Sequence, residues 1–80
     1  MTYSVEQLAP GSFDVLLDGE LVASFVRNVH RDGPADSWVV ELLDELSAHE
    51  RPLPFTSQRH VFRSRSAALE WLGIGADVER

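Results

Sequence analysis

The sequence predicts a small α+β domain, with an antiparallel sheet of three to four strands and two helices on one face of the sheet. Three observations indicate this class. Short apolar–polar alternations separated by turn residues fill the first part of the chain, an apolar pattern of helical period follows, and a second such pattern is closed by Gly73. The predicted order of the elements is β-β-β-α-β-α.

The first part of the chain is predicted to form an antiparallel meander of three strands, at residues 3–8, 12–18 and 20–29. Phe13, Val15 and Leu17 fall at alternate positions, as in a strand with one buried face. Asp18-Gly19 is typical of a two-residue hairpin, because glycine readily adopts the positive φ that such a turn needs. We therefore expect the second and third strands to be joined directly.

Residues 37–49 are predicted to form the first helix. Apolar residues from Trp38 onward recur at i, i+1, i+4, i+5 and i+8, so they share one side of a helix. Asp36 or Ser37 can cap its start, and the prolines that follow end it. The segment WVV also has strand propensity, so a strand over residues 37–44 is the alternative.

The end of the chain is predicted to add a fourth strand and a second helix. Residues 59–63 alternate as a strand does, after a segment whose two prolines exclude a helix. Ser64 or Ser66 can cap a helix that runs through Leu72, and Gly73 stands where a helix ends in the left-handed conformation.

Size and composition indicate a single soluble domain. In a chain of 80 residues, we expect residues 1–73 to form one domain and residues 74–80 a flexible tail. The absence of cysteine excludes disulfides, thiolate catalysis and cysteine-ligated metals. The chain contains no signal-peptide pattern and no apolar run near the ~20 residues of a membrane span. We therefore expect a cytoplasmic protein without a membrane partner.

The sequence contains no candidate catalytic residues and no candidate metal ligands. It has no GxSxG elbow, no phosphate-binding loop and no GxGxxG fingerprint. His30, His49 and His60 lie far apart without the spacing of a metal site. So short a domain also has little volume for a substrate pocket. We therefore predict a protein that is not an enzyme and that needs no cofactor.

The charge distribution suggests one candidate anion site. Thirteen acidic side chains against seven arginines give a formal charge of −6, which disfavours nucleic acid as a partner. Arg59, Arg63 and Arg65 nevertheless form a basic run, and they are the candidate anion-binding residues. The alternative is charge pairing with the five acids of residues 36–50, within the fold or across a dimer.

The predicted faces of the elements also suggest a protein-binding surface. The candidate interface residues are Leu16, Val22 and Val26 on the outer face of the sheet, and Glu41, Asp44 and Glu45 on the acidic side of the first helix. Exposed apolar residues on one face of a sheet are typical of protein–protein contact. We therefore predict a small, non-catalytic interaction or accessory module of bacterial type, which binds protein and acts as a homo-oligomer, for example a homodimer, or as an accessory subunit. The alternative function is binding of nucleic acid or another anion by the three arginines.

A strand-rich start followed by a helix resembles the arm-binding domains of integrases and the strand–helix antitoxins. The chain contains no diagnostic motif of either family. The resemblance therefore assigns no residue a role.

Overall fold

The computed structural model describes residues 2–28 and 37–74, which form one five-stranded antiparallel sheet and one short helix. The elements are β1 (Tyr3–Ala9), β2 (Ser12–Leu17), β3 (Glu20–Arg27), β4 (Trp38–Leu42), β5 (Arg59–Phe62) and α1 (Arg65–Trp71). The predicted α+β class with two helices is therefore wrong. The described part of the chain is mostly β.

The five strands follow one another across the sheet in the order of the sequence. The first three lie within two residues of their predicted bounds. Asp18 and Gly19, with φ of 53° and 89°, form the tight turn between β2 and β3, as the hairpin dipeptide predicted. At the far end of β3, the Asn28 backbone N–H donates to the Ser37 carbonyl at 2.8 Å, so β3 and β4 stay paired beyond their formal ends.

The predicted helix over residues 37–49 is replaced by β4 and the start of a loop. β4 pairs with β3 on one side and with β5 on the other. Trp38, Val40 and Leu42 alternate onto one face, whereas Val39 is buried on the opposite face with 5 % exposure. A central strand that is apolar on both faces lacks the simple alternation of a half-buried strand. This two-sided burial produced the apparent helical pattern.

One face of the sheet, termed here the core face, carries the hydrophobic core. The register places Phe13 opposite Phe25, Phe25 opposite Val40, and Val40 opposite His60. α1 covers part of this face through Ala68 and Leu72, which belong to the same buried cluster.

The second predicted helix and its boundaries are confirmed. Ser64 is the N-cap, and its Oγ accepts a hydrogen bond from the Ala67 N–H at 3.0 Å. Gly73 has a φ of +80°, which ends the helix in the left-handed conformation. Ile74 packs against the core cluster. Residues 75–80, the greater part of the predicted tail, lie outside the described residues.

A long segment without helix or strand, the 43–58 loop, joins β4 to β5. It lies over the core face, because Phe55 belongs to the buried core and Leu46 packs against it. A loop of this length needs its own fixed contacts, and three side chains supply them. The Gln58 amide, the His60 ring and the Tyr3 hydroxyl all hydrogen-bond to backbone groups of the loop.

None of the helices in the described ranges, 2–28 and 37–74, is long and apolar enough to cross a membrane.

Candidate functional site

The face of the sheet opposite α1, termed here the outer face, is the candidate functional site. α1 packs against β4 and β5 and buries its apolar residues on the core face. Among the residues that the structure describes, no helix packs on the other side of the sheet. Within the described residues, the outer face is therefore built from all five strands and has no covering helix.

The outer face contains a row of three valines, termed here the valine row. Val26 on β3 is paired with Val39 on β4, and Val39 is paired with Val61 on β5. Val39 is only 5 % exposed, although it is not part of the core cluster, whereas Val61 is 54 % exposed. Directly paired β-branched residues pack side by side across strands. The result is a continuous apolar row, in which Val39 is buried and Val61 is exposed.

A second row of the outer face, termed here the charged row, crosses every strand. The successive Cα partners are Glu6, Asp14, Ser24, Glu41 and Arg59, on β1 to β5 in that order. Acidic side chains thus lie at the β1–β2 side, and the one arginine lies at the opposite edge. Side chains directly opposite each other in a sheet have Cβ atoms about 4.5–5.5 Å apart, so Arg59 is a close neighbour of Glu41.

The six predicted interface residues do not come together on one surface. Leu16 and Val26 lie on the outer face and are half-buried. Val22 instead packs against the core cluster, because the register of β2 and β3 shifts beside it, between Val15 and Leu16. An extra residue in one strand of a pair redirects the side chains around it.

The three predicted acidic interface residues lie apart, because residues 37–49 do not form the predicted helix. Glu41 lies in β4 on the outer face, opposite Arg59. Asp44 and Glu45 are exposed in the 43–58 loop, which covers the other side of the sheet. The Asp44 backbone carbonyl accepts a hydrogen bond from the Gln58 side chain at 2.6 Å.

The three arginines of the predicted anion site are divided between the two sides of the sheet. Arg59 lies on the outer face, and Arg63 is exposed just beyond the end of β5. The Arg65 guanidinium lies 5.6 Å from the centroid of the Phe13 ring, on the core side. That distance is typical of a cation–π contact, which gives Arg65 a structural partner.

The histidines are equally dispersed. His30 lies outside the described residues, as does the predicted capping residue Asp36. His49 is exposed in the 43–58 loop, whereas His60 is half-buried on the core face. Within residues 2–28 and 37–74, no group of three or more acidic or histidine side chains could hold a metal ion.

Comparison of this chain with protein-family models, with curated proteins and with solved structures finds no match.

Proposed function

We propose that this protein is an interaction module that associates with a second copy of itself through the outer face of its sheet. The observation that carries the proposal is the pairing of the valine row with a charged row whose two ends have opposite charge. An apolar row beside polar residues is the usual composition of a protein interface. The opposite ends of the charged row favour a partner with the reverse order of charges, which a second copy supplies.

A two-fold symmetric dimer would bring the two valine rows together and would place oppositely charged residues of the two charged rows against each other. A two-fold axis parallel to the strands, between β3 and β4, lays β3 of one copy over β4 of the other and β2 over β5. Val26 then faces the partner's Val39, and Asp14 faces the partner's Arg59. Packed sheets lie about 10 Å apart, so carboxylate and guanidinium groups can meet between them. Each charge contact occurs twice, as a two-fold interface requires.

The size of the face predicts a weak dimer. The four overlapping strands, about 4.8 Å apart and each about 17 Å long, present on the order of 330 Å² per copy. A standard stable interface buries about 800 Å² per partner. The formal charge of −6 per chain also opposes association. We therefore expect the average mass to rise with protein concentration over a wide range.

Substitution of Val61 by glutamate tests the proposal. Val61 is 54 % exposed in the folded chain, so the change leaves the core intact and places a carboxylate in the valine row. Leu53→Glu is the matched control, because Leu53 is 71 % exposed and lies in the 43–58 loop, away from the outer face. Both variants add one negative charge in place of an exposed apolar side chain.

The measurement is light scattering over a concentration series, with circular dichroism to confirm that each variant is folded. The proposal predicts that the wild type and the Leu53→Glu protein dimerise alike, and that the Val61→Glu protein stays monomeric at concentrations where both dimerise. A wild type that is monomeric throughout, or a Val61→Glu protein that dimerises like the wild type, would contradict it.

A further inference from the structure

His60 occupies an unusual position for a polar residue. It lies in β5 on the core face, opposite Val40. Its ring centroid is 4.6 Å from that of Trp71 on α1 and 5.9 Å from that of Phe55 in the 43–58 loop. The imidazole therefore stands at the junction of the sheet, the helix and the loop.

The His60 ring also holds the backbone of the loop. Its Nε2 atom accepts hydrogen bonds from the Thr56 N–H at 3.3 Å and from the Ser57 N–H at 3.2 Å. An imidazole nitrogen accepts only when it carries a lone pair, so the ring is neutral with its proton on Nδ1. Protonation of Nε2 would turn the acceptor into a donor and would set it against two N–H groups.

We infer that His60 is a pH-operated latch, which holds residues 54–57 over Trp71 when it is neutral and releases them when Nε2 is protonated. The inference is independent of the proposed function, because these residues lie on the side of the sheet opposite the valine row.

The surroundings of the ring favour the neutral form. Burial lowers the pKa of His60 below its ordinary value, and the positive charge of Arg51 lowers it further. The N–H groups of Thr56 and Ser57 favour the neutral ring as well, because protonation of Nε2 removes the lone pair that accepts their hydrogen bonds.

The other charged groups on the neighbouring elements do not determine whether His60 is protonated. In the described part of the chain, Arg51 is the one charge that acts on the His60 pKa. On α1, Arg65 lies over Phe13 and Glu70 is exposed. The remaining titratable side chains of the loop are exposed, namely Asp44, Glu45, His49 and Glu50.

The position of Arg51 also favours release of residues 54–57 when His60 is protonated. The Arg51 Nη1 donates to the Thr56 carbonyl at 3.4 Å, and its buried Nε has no hydrogen-bond partner among the described residues. A protonated His60 would bring a second positive charge to this crowded position. Repulsion between the two cations would then act on the same stretch of backbone that loses its bonds to Nε2.

Two other contacts limit how far the loop can move. The Tyr3 hydroxyl donates to the Leu53 carbonyl at 2.6 Å, just before the released residues. The Gln58 side chain donates to the Asp44 carbonyl at 2.6 Å, just after them. Release is therefore local, and its main consequence is to separate Phe55, which is 3 % exposed, from Trp71, whose ring centroid is 4.9 Å away.

The test is an NMR titration of the wild-type protein between about pH 8 and about pH 5, the range in which histidine changes charge. We expect the Thr56 and Ser57 amide protons to shift upfield together with the His60 ring titration. We also expect loss of the nuclear Overhauser effects between the Phe55 and Trp71 rings in the same range. Persistence of those effects after His60 is protonated would overturn the inference, as would a ring that stays neutral throughout.

The His60→Gln variant, which cannot titrate, should show no change in the two amides or in the ring contacts between the same pH values. His49→Gln is the matched control, because His49 is exposed in the same loop. It should keep the wild-type transition. A transition that is lost in His49→Gln and kept in His60→Gln would show that His49, and not His60, controls the release of the loop.

Discussion

Among single residues, Phe25 and His60 illustrate two different ways in which this small fold is held together. Phe25 is completely buried, and its ring lies 5.4 Å from that of Phe13 and 5.0 Å from that of Trp38. Its contribution is apolar burial, which does not depend on pH. His60 instead joins aromatic packing to hydrogen bonds that exist in one protonation state only.

The free energy of unfolding should therefore decrease as the pH is lowered, and His60 should account for part of this decrease. Its folded-state pKa lies below the ordinary value of 6.5 that the unfolded chain retains. Below about pH 6.5 the unfolded state consequently binds more protons than the folded state, and the free energy of unfolding decreases as the pH falls. Above about pH 6.5 both states are neutral at this position, and the contribution is fully present.

Urea unfolding of the wild type, His60→Gln and His49→Gln at several pH values measures this effect. The free energy of unfolding should fall less steeply on acidification in His60→Gln than in the wild type. His49→Gln should follow the wild type. Equal slopes in the wild type and in His60→Gln would show that the folded-state pKa of His60 is not lowered.

The secondary-structure elements show which local patterns the sequence determines. β2 and β3 were predictable, because each has one buried face and therefore alternates. β1 was predictable from the alternation of Tyr3 and Val5, which are partly buried against the core. α1 was predictable from its cap and its terminal glycine, two signals that depend only on neighbouring residues. Ser64 and Gly73 do play these parts.

β4 could not be predicted in the same way, because its apolar pattern arises from contacts that are distant in sequence. Val39 lies between partners on β3 and β5 and is 5 % exposed, although it points away from the core. A residue of this kind makes the strand resemble one side of a helix. The candidate site could not be predicted for the same reason. No local pattern in the sequence indicates that Arg59 lies beside Glu41 or that Val22 packs against the core.

The 43–58 loop is the element that depends most on one side chain. Gln58 accepts a hydrogen bond from the Leu46 N–H at 3.2 Å and donates to the Asp44 carbonyl at 2.6 Å. It also donates to the Leu42 carbonyl at 3.4 Å. One amide group therefore serves both ends of the loop, and its loss would leave several backbone groups without partners.

Replacement of Gln58 by alanine should lower the free energy of unfolding by about 1–3 kcal/mol, the usual effect of leaving partly buried hydrogen-bonding groups unpaired. Gln7→Ala is the matched control, since Gln7 is exposed and makes one long bond, to the Ala9 carbonyl at 3.4 Å. Its effect should stay within about 0.5 kcal/mol. Urea denaturation provides both values, and equal losses in the two variants would contradict the anchoring role of Gln58.

At the scale of the whole molecule, residues 2–28 and 37–74 form two layers and leave the outer face of the sheet uncovered. The sheet is the first layer, and α1 with the 43–58 loop forms the second. The outer face is open in the described part of the chain, and its charged row changes sign from β1 to β5. The proposed self-association depends on this asymmetry, since the proposed two-fold arrangement would bring Asp14 against the partner's Arg59.

The salt dependence of the dimer dissociation constant does not isolate the contact between Asp14 and the partner's Arg59. Added salt weakens the attraction between Asp14 and the partner's Arg59, but it also screens the repulsion between two chains of charge −6. The two effects oppose each other. A reversal of the two charges within one chain avoids the difficulty, because the net charge of the double variant equals that of the wild type.

The most direct measurement is therefore the dimer dissociation constant of Arg59→Glu, Asp14→Arg and the double variant, obtained by sedimentation at constant salt. Each single variant brings like charges together twice and should weaken the dimer by at least about tenfold, or about 1.4 kcal/mol. The double variant restores opposite charges and should return the dissociation constant close to that of the wild type. A double variant no tighter than the weaker single variant would contradict the claim that Asp14 meets the partner's Arg59 across the outer face.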